Sequence, residues 1–148
     1  MSKIRVADYL AGWFVEHGIK DEFLVTGGGA MHLNDALGRH PEMTYYCNHH
    51  EQACAIAAEG YFRATGNIPL VNVTTGPGGT NTLTGVLGQW NDSIPAVYIS
   101  GQVKWETTID YSPDLKLRQI GDQEADIVNI VKPITKFVVM LKDPMLIQ

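Results

Sequence analysis

A chain of 148 residues, 45% hydrophobic and 18% charged, falls in the range of globular domains and can bury one core without disulfide or metal staples. Eleven Lys and Arg against sixteen Asp and Glu give a formal charge of -5; no basic cluster is present to grip a phosphate backbone, so no nucleic-acid partner is expected. No stretch approaches the roughly 20 apolar residues of a membrane span, the N-terminal segment lacks the apolar centre of a signal peptide, and Cys47 and Cys54 match no zinc or redox spacing. The expectation is a cytoplasmic protein with no membrane partner.

Val6, Leu10, Trp13 and Phe14 share one helical face, which predicts a helix over residues 6–17 closed by Gly18. Residues 22–26 form a short apolar run into Gly27, Gly28 and Gly29, the pattern of a buried strand entering a tight turn. A second helix is expected over 31–39. Pro41 ends it, because the residue before a proline is pushed out of the α region. Residues 44–47 are rich in β-formers, and 51–64 is an alanine-dense helix carrying Glu59 and Arg63 four apart. Residues 69–75 read as a strand running into Gly76, Pro77, Gly78 and Gly79; 80–90 reads as a helix and 96–100 as a strand.

Strands and helices that alternate through short loops predict an α/β fold, a mainly parallel sheet with helices on both faces. The polar stretch 104–121 is expected to be a long loop, 122–131 a helix and 135–141 a further strand. Pro144 and the apolar residues after it suggest the start of another helix. The whole chain, 1–148, is expected to be a single domain truncated at its C-terminus.

Two glycine turns at one sheet edge are informative, because ligands of open α/β folds bind beside the carboxyl ends of the strands. Neither turn is a nucleotide fingerprint. Counted from Gly27, the third glycine of GxGxxG is replaced by His32, and the turn at Gly76 lacks the GK[ST] ending of a P-loop. Tight packing and a ligand approached closely by backbone both remain open. Glu51 also has two readings: a first-turn carboxylate favoured by the helix dipole, or a functional acid. His49, His50 and Cys54 match no familiar metal spacing, and a zincin would need histidine at position 54, so no metal site is expected on this chain.

Three segments taken together carry a resemblance: His50-Glu51-Gln52 followed by residues 58–66 (AEGYFRATG), then residues 75–81 (TGPGGTN), then residues 92–95 (DSIP) with 100–103 (SGQV). In order and spacing they resemble the N-terminal pyrimidine-binding domain of thiamine diphosphate-dependent enzymes, in the acetolactate synthase-like group. Residues 122–128 (DQEADIV) and 133–136 (PITK) resemble later landmarks of that group.

The resemblance implies a thiamine diphosphate-binding fold lacking its last helix and strand. It implies that Glu51 hydrogen-bonds N1′ of the cofactor's aminopyrimidine. Gly76, Pro77, Gly78 and Asn81 would be further cofactor-binding residues, and Gly28, Gly29, Ala30 and Gln123 would lie on the substrate side. The reaction implied is decarboxylation or carboligation of a 2-oxo acid.

The family's diphosphate and Mg2+ site is a Gly-Asp-Gly motif in another domain, and this chain has none; Gly121-Asp122-Gln123 departs at its third position. The chain alone is therefore expected to contact only the pyrimidine end of thiamine diphosphate and to be inactive. Its partners would be a diphosphate-binding domain or subunit, within a homodimer or higher oligomer. The first loop also lacks the tyrosine-proline that commonly precedes its glycines in acetolactate synthases, and Asp122 stands where they usually carry phenylalanine. The competing readings are a non-catalytic dimerisation module of the same fold and a nucleotide-binding α/β domain.

Overall fold

The computed structural model describes residues 3–147. Four strands, β1 (Asp21–Leu24), β2 (Thr44–Cys47), β3 (Leu70–Val73) and β4 (Val97–Ser100), form an all-parallel sheet in the order β2-β1-β3-β4. Leu24 pairs with Cys47 on one side and with Asn72 on the other, and Val73 pairs with Ser100. Successive side chains on a strand point to opposite faces, and two separate cores follow. On one face α1 (Val6–Glu16) and α2 (Met31–Arg39) bury Ala11, Phe14 and Leu37 with Leu70, Val97 and Ile99. On the other, α3 (Glu51–Thr65) buries Cys54 and Ala58 against Phe23, Val71, Val73 and Tyr98.

After the third strand come a single helical turn, α4 (Pro77–Thr80), and then α5 (Leu83–Asp92). Where one helix was expected over 80–90 there are two, because helix begins as soon as Pro77 fixes its backbone, and the Thr82 hydroxyl donates to the Gly79 carbonyl at 2.7 Å. The α5 helix is tied to its neighbours by Gln89, whose side-chain amide donates to the Ala55 carbonyl at 2.9 Å and accepts from the Tyr98 hydroxyl at 2.9 Å.

The latter part of the chain departs most from expectation. Residues 104–121 are not featureless: they hold three 3-10 turns, Trp105–Thr107, Ile109–Tyr111 and Pro113–Leu115. The helix expected over 122–131 is reduced to α6 (Ile127–Val131), because Gln123 adopts a left-handed φ of 59° and Asp126 caps the helix by accepting the Asn129 N–H at 3.1 Å. Residues 135–141 form no strand. Their side chains still alternate, Phe137 and Val139 outward with Val138 and Met140 half-buried, but no strand among the described residues offers a ladder, and pairing is what makes a strand. The helix expected after Pro144 is one 3-10 turn, Pro144–Leu146, capped by Asp143.

One buried group was invisible in the apolar reading of residues 22–26. Glu22, on β1, is 1% exposed, and its Oε1 accepts from the Asn72 side-chain amide at 2.7 Å. The same amide also donates to Asn34 Oδ1 at 2.8 Å, while Glu22 Oε2 and Asn72 Oδ1 have no partner among the described residues. Burial pushes the Glu22 carboxyl up to about 7 against the opposing pull of the Asn72 hydrogen bond.

Candidate functional site

From β1 the chain moves to β2 on one side, and from β3 it moves to β4 on the other. The crevice between the carboxyl ends of β1 and β3 is therefore the topological switch point where ligands of open α/β sheets bind. Both glycine turns open onto it, and α3 starts beside it after β2.

Glu51 is the first residue of α3. His50 caps the helix, its Nδ1 accepting the Gln52 N–H at 3.1 Å. Glu51 is only 8% exposed, and no ion pair to it occurs among the described residues. Its Oε2 accepts from the Asn81 side-chain amide at 2.9 Å. Its Oε1 faces the glycine turn, 3.5 Å from where a Cβ on Gly78 would stand. One oxygen is thus fixed by the protein, and the other is turned toward a wall made of main chain.

That wall tolerates no side chain at its tightest point. Gly76 has a φ of +56°, and a Cβ there would overlap the carbonyl oxygen of Gln123, so both the turn and the close approach require glycine. The first loop is bound to the third by the Gly29 N–H, which donates to Thr74 Oγ1 at 3.1 Å. After β4, Gly101 donates its N–H to the Val73 carbonyl at 2.8 Å and lies against the backbone of Gly29 and Ala30, where a Cβ would collide.

The residues singled out from the sequence thus fall into three places. Glu51, Asn81 and Gly78 meet at the start of α3; Gly29 and Ala30 meet Thr74 and Gly101 across the crevice; Gly76 meets the backbone of Gln123. Gly28 borders open space, and Pro77 and the Gln123 side chain are exposed. An apolar cavity of about 420 Å³ lies to the side, between Gly29, Gly79, Gly101, Val86, Tyr98 and residues 138–141; Glu51 does not line it.

Sequence reasoning missed Thr74, Thr75 and Glu124. Thr75 is buried with an unpartnered hydroxyl beside Gly29. The two hydroxyls directly before Gly76 were a signal that could have been read. His50 is spent on the helix cap, and Cys54 is fully buried, its thiol pushed up to about 11 by burial. Among the described residues, no three His, Cys, Asp or Glu side chains cluster as a metal would need, and no helix is long and apolar enough to cross a membrane.

Residues 4–127 match the family described as thiamine pyrophosphate enzyme, N-terminal TPP binding domain. The chain belongs to that family. Its all-parallel sheet with helices on both faces is the α/β architecture expected of such a TPP-binding domain. The domain is 34% identical over 142 residues to the acetolactate synthase isozyme 3 large subunit of Escherichia coli (strain K12), a match covering 96% of this chain and 23% of the relative. It is 38% identical, with the same coverage, to the acetolactate synthase large subunit of Buchnera aphidicola subsp. Schizaphis graminum. To the chloroplastic acetolactate synthase 1 of Oryza sativa subsp. japonica it is 36% identical over 130 residues, covering 88% of this chain and 19% of the relative. The chain spans about a fifth to a quarter of the length of these curated relatives.

Proposed function

We propose that this TPP-binding domain forms the pyrimidine-binding part of an acetolactate synthase-like, thiamine diphosphate-dependent enzyme, one that decarboxylates or carboligates a 2-oxo acid in the cytoplasm. The observation that carries the proposal is the Glu51 carboxylate, buried without a cation, one oxygen held by Asn81 and the other turned to the glycine wall at Gly78. The names of the relatives support the acetolactate synthase-like class.

The residues present suit the group. A planar heterocycle needs a flat approach, and the turn at Gly76, Pro77 and Gly78 offers backbone beside Glu51 Oε1, where a Cβ on Gly78 would stand 3.5 Å away. A carboxylate that binds N1′ of an aminopyrimidine must hold a proton there, and Glu51 Oε1 is the oxygen left for that task. When bound, thiamine diphosphate supplies the carbanion chemistry that the protein's own side chains lack. The part of Glu51 is to keep the shared proton at N1′, and the part of Asn81 is to stop the carboxylate from rotating away. Asn81, expected to touch the cofactor, is better placed to act through Glu51. The glycine wall excludes water from one side of that pair. Gly28, Gly29, Ala30 and Gln123 border the substrate side.

No Gly-Asp-Gly motif is present in the chain, so the diphosphate and Mg2+ are assigned to a further domain or subunit, within a homodimer or higher oligomer. The test is Glu51→Gln in the whole protein. Turnover of a 2-oxo acid is expected to fall by about 10²–10⁴-fold, with oligomeric state unchanged. Full activity in that variant overturns the role of Glu51, and absence of thiochrome after oxidation of acid-released material from the native protein overturns the thiamine reading altogether.

A further inference from the structure

Glu124 is absent from every role above, yet its carboxylate organises more backbone than any other side chain near the site. Its Oε1 accepts the Ile109 N–H at 2.7 Å, and its Oε2 accepts the Ile120 and Gly121 N–H groups at 3.2 and 3.3 Å. Residues 109 and 120 are the two ends of one surface loop whose middle, 113–119, is exposed throughout. A single side chain therefore closes that loop, through three hydrogen bonds accepted from backbone N–H groups.

The residue before Glu124 sits in the left-handed region at a φ of 59°, which a side chain bearing a Cβ rarely adopts. Such a conformation persists where its surroundings over-determine it. Here the surroundings are visible on both sides. The Gln123 carbonyl lies against Gly76 of the glycine wall. On the other side Glu124 is anchored by its side chain to three amides and by its own N–H to the Gly121 carbonyl at 3.2 Å. Gly121 is buried against Val103 and the Thr107 carbonyl, and Gln119 donates to the Gly121 carbonyl at 2.9 Å, so the anchor has a firm seat.

We infer that Glu124 is a positioning residue: by clamping both ends of the 109–121 loop it holds Gln123 against Gly76 and so fixes the substrate side of the site. Glu51 is held separately, by Asn81 on α4's far side. The clamp bears on Gln123 and leaves the Glu51–Asn81 pair untouched, so its loss acts more on the substrate than on the cofactor. This inference rests on the thiamine reading of the site.

The test uses Glu124→Gln in the whole protein. A carboxamide keeps one acceptor oxygen but turns an NH2 toward the other end of the loop, so half of the clamp is lost with little change in shape. Glu124→Asp, whose shorter side chain keeps the charge and cannot span both ends, serves as the second variant. Hydrogen exchange followed by mass spectrometry is expected to speed up by about tenfold or more across 109–121 in both. The KM for pyruvate or 2-oxobutyrate is expected to rise by about fivefold to tenfold, while the Kd for thiamine diphosphate stays within about twofold.

Exchange that does not change, or faster exchange with an unchanged KM, overturns the inference. A Kd that weakens as much as the KM also overturns it, since that is the signature of general structural damage. A wild-type protein that binds no thiamine diphosphate overturns the underlying reading instead, and the two failures are told apart by the wild-type titration alone.

Discussion

Glu22 offers a sharp test of the fold's energetics, because its carboxyl is buried at 1% exposure with one oxygen unpartnered. Its pKa rises from an ordinary 4.5 to about 7 through burial. At 1.36 kcal/mol for each tenfold in proton affinity, ionising Glu22 in the folded state costs about 3 kcal/mol more than ionising it in the unfolded chain. The sign follows from proton counting. Between 4.5 and about 7 the folded form holds more of the proton than the unfolded form, so this contribution to stability is complete below 4.5, falls as pH rises and is lost above about 7. Glu22→Gln keeps the size and the hydrogen-bonding capacity and removes the ionisation. Urea denaturation of parent and variant at roughly pH 4 and pH 8 is expected to show near-equal stability at the lower pH and a variant more stable by about 3 kcal/mol at the higher. That is a large share of a typical net stability of about 5–15 kcal/mol. Parallel pH profiles for the two proteins would refute the assignment of a buried, proton-linked Glu22.

Replacing Asn81 by Ala frees Glu51 Oε2 and is expected to lower turnover by about tenfold to a hundredfold, with a smaller loss of thiamine diphosphate affinity, measured by steady-state kinetics and titration calorimetry. Gly76→Ala meets both a φ of +56° and the Gln123 carbonyl, and is expected to lower stability by about 1–3 kcal/mol in thermal denaturation. Alkylation of the native protein with iodoacetamide, mapped by mass spectrometry, is expected to label the exposed Cys47 and leave Cys54 untouched until denaturant is added. Cys54 is fully buried, and burial holds its thiol near 11.

What the sequence disclosed depends on how local the deciding interaction is. The helix at Met31–Arg39 and the strand at Thr44–Cys47 match their predicted bounds, because Pro41 and the glycine triplet punctuate the chain at those points. Strand β1 was legible as a strand, but the burial of Glu22 was not. Its partner Asn72 lies 50 residues away, and Asn34, which accepts from the same Asn72 amide, lies 12; no pattern in a single sequence brings the three together. Residues 135–141 carried the alternation of a strand and lacked a neighbour to bond to, a fact that only tertiary structure holds. Over 122–131 helical periodicity was counted correctly for Ile127–Val131 and overrun at Gln123, whose left-handed backbone is imposed by Gly76 and Glu124. At the site, Glu51 stood out through its place at a helix start, and its chemical role came from the resemblance. The carboxylate of Glu124 gave no local signal, because the amides it binds are brought to it by the loop's return.

The tight turn at Gly76 and the contact of Gly101 with the first loop make the crevice a mould cast in main chain. A mould of that kind cannot be retuned by exchanging side chains, since at these positions any addition collides with backbone. Adaptation to a new substrate would then have to come from elsewhere: from the exposed Gln123 side chain, from the open space at Gly28, and from the solvent-facing stretch 113–120. Substitution at Gly76 or Gly101 would instead cost stability, because a Cβ there meets backbone.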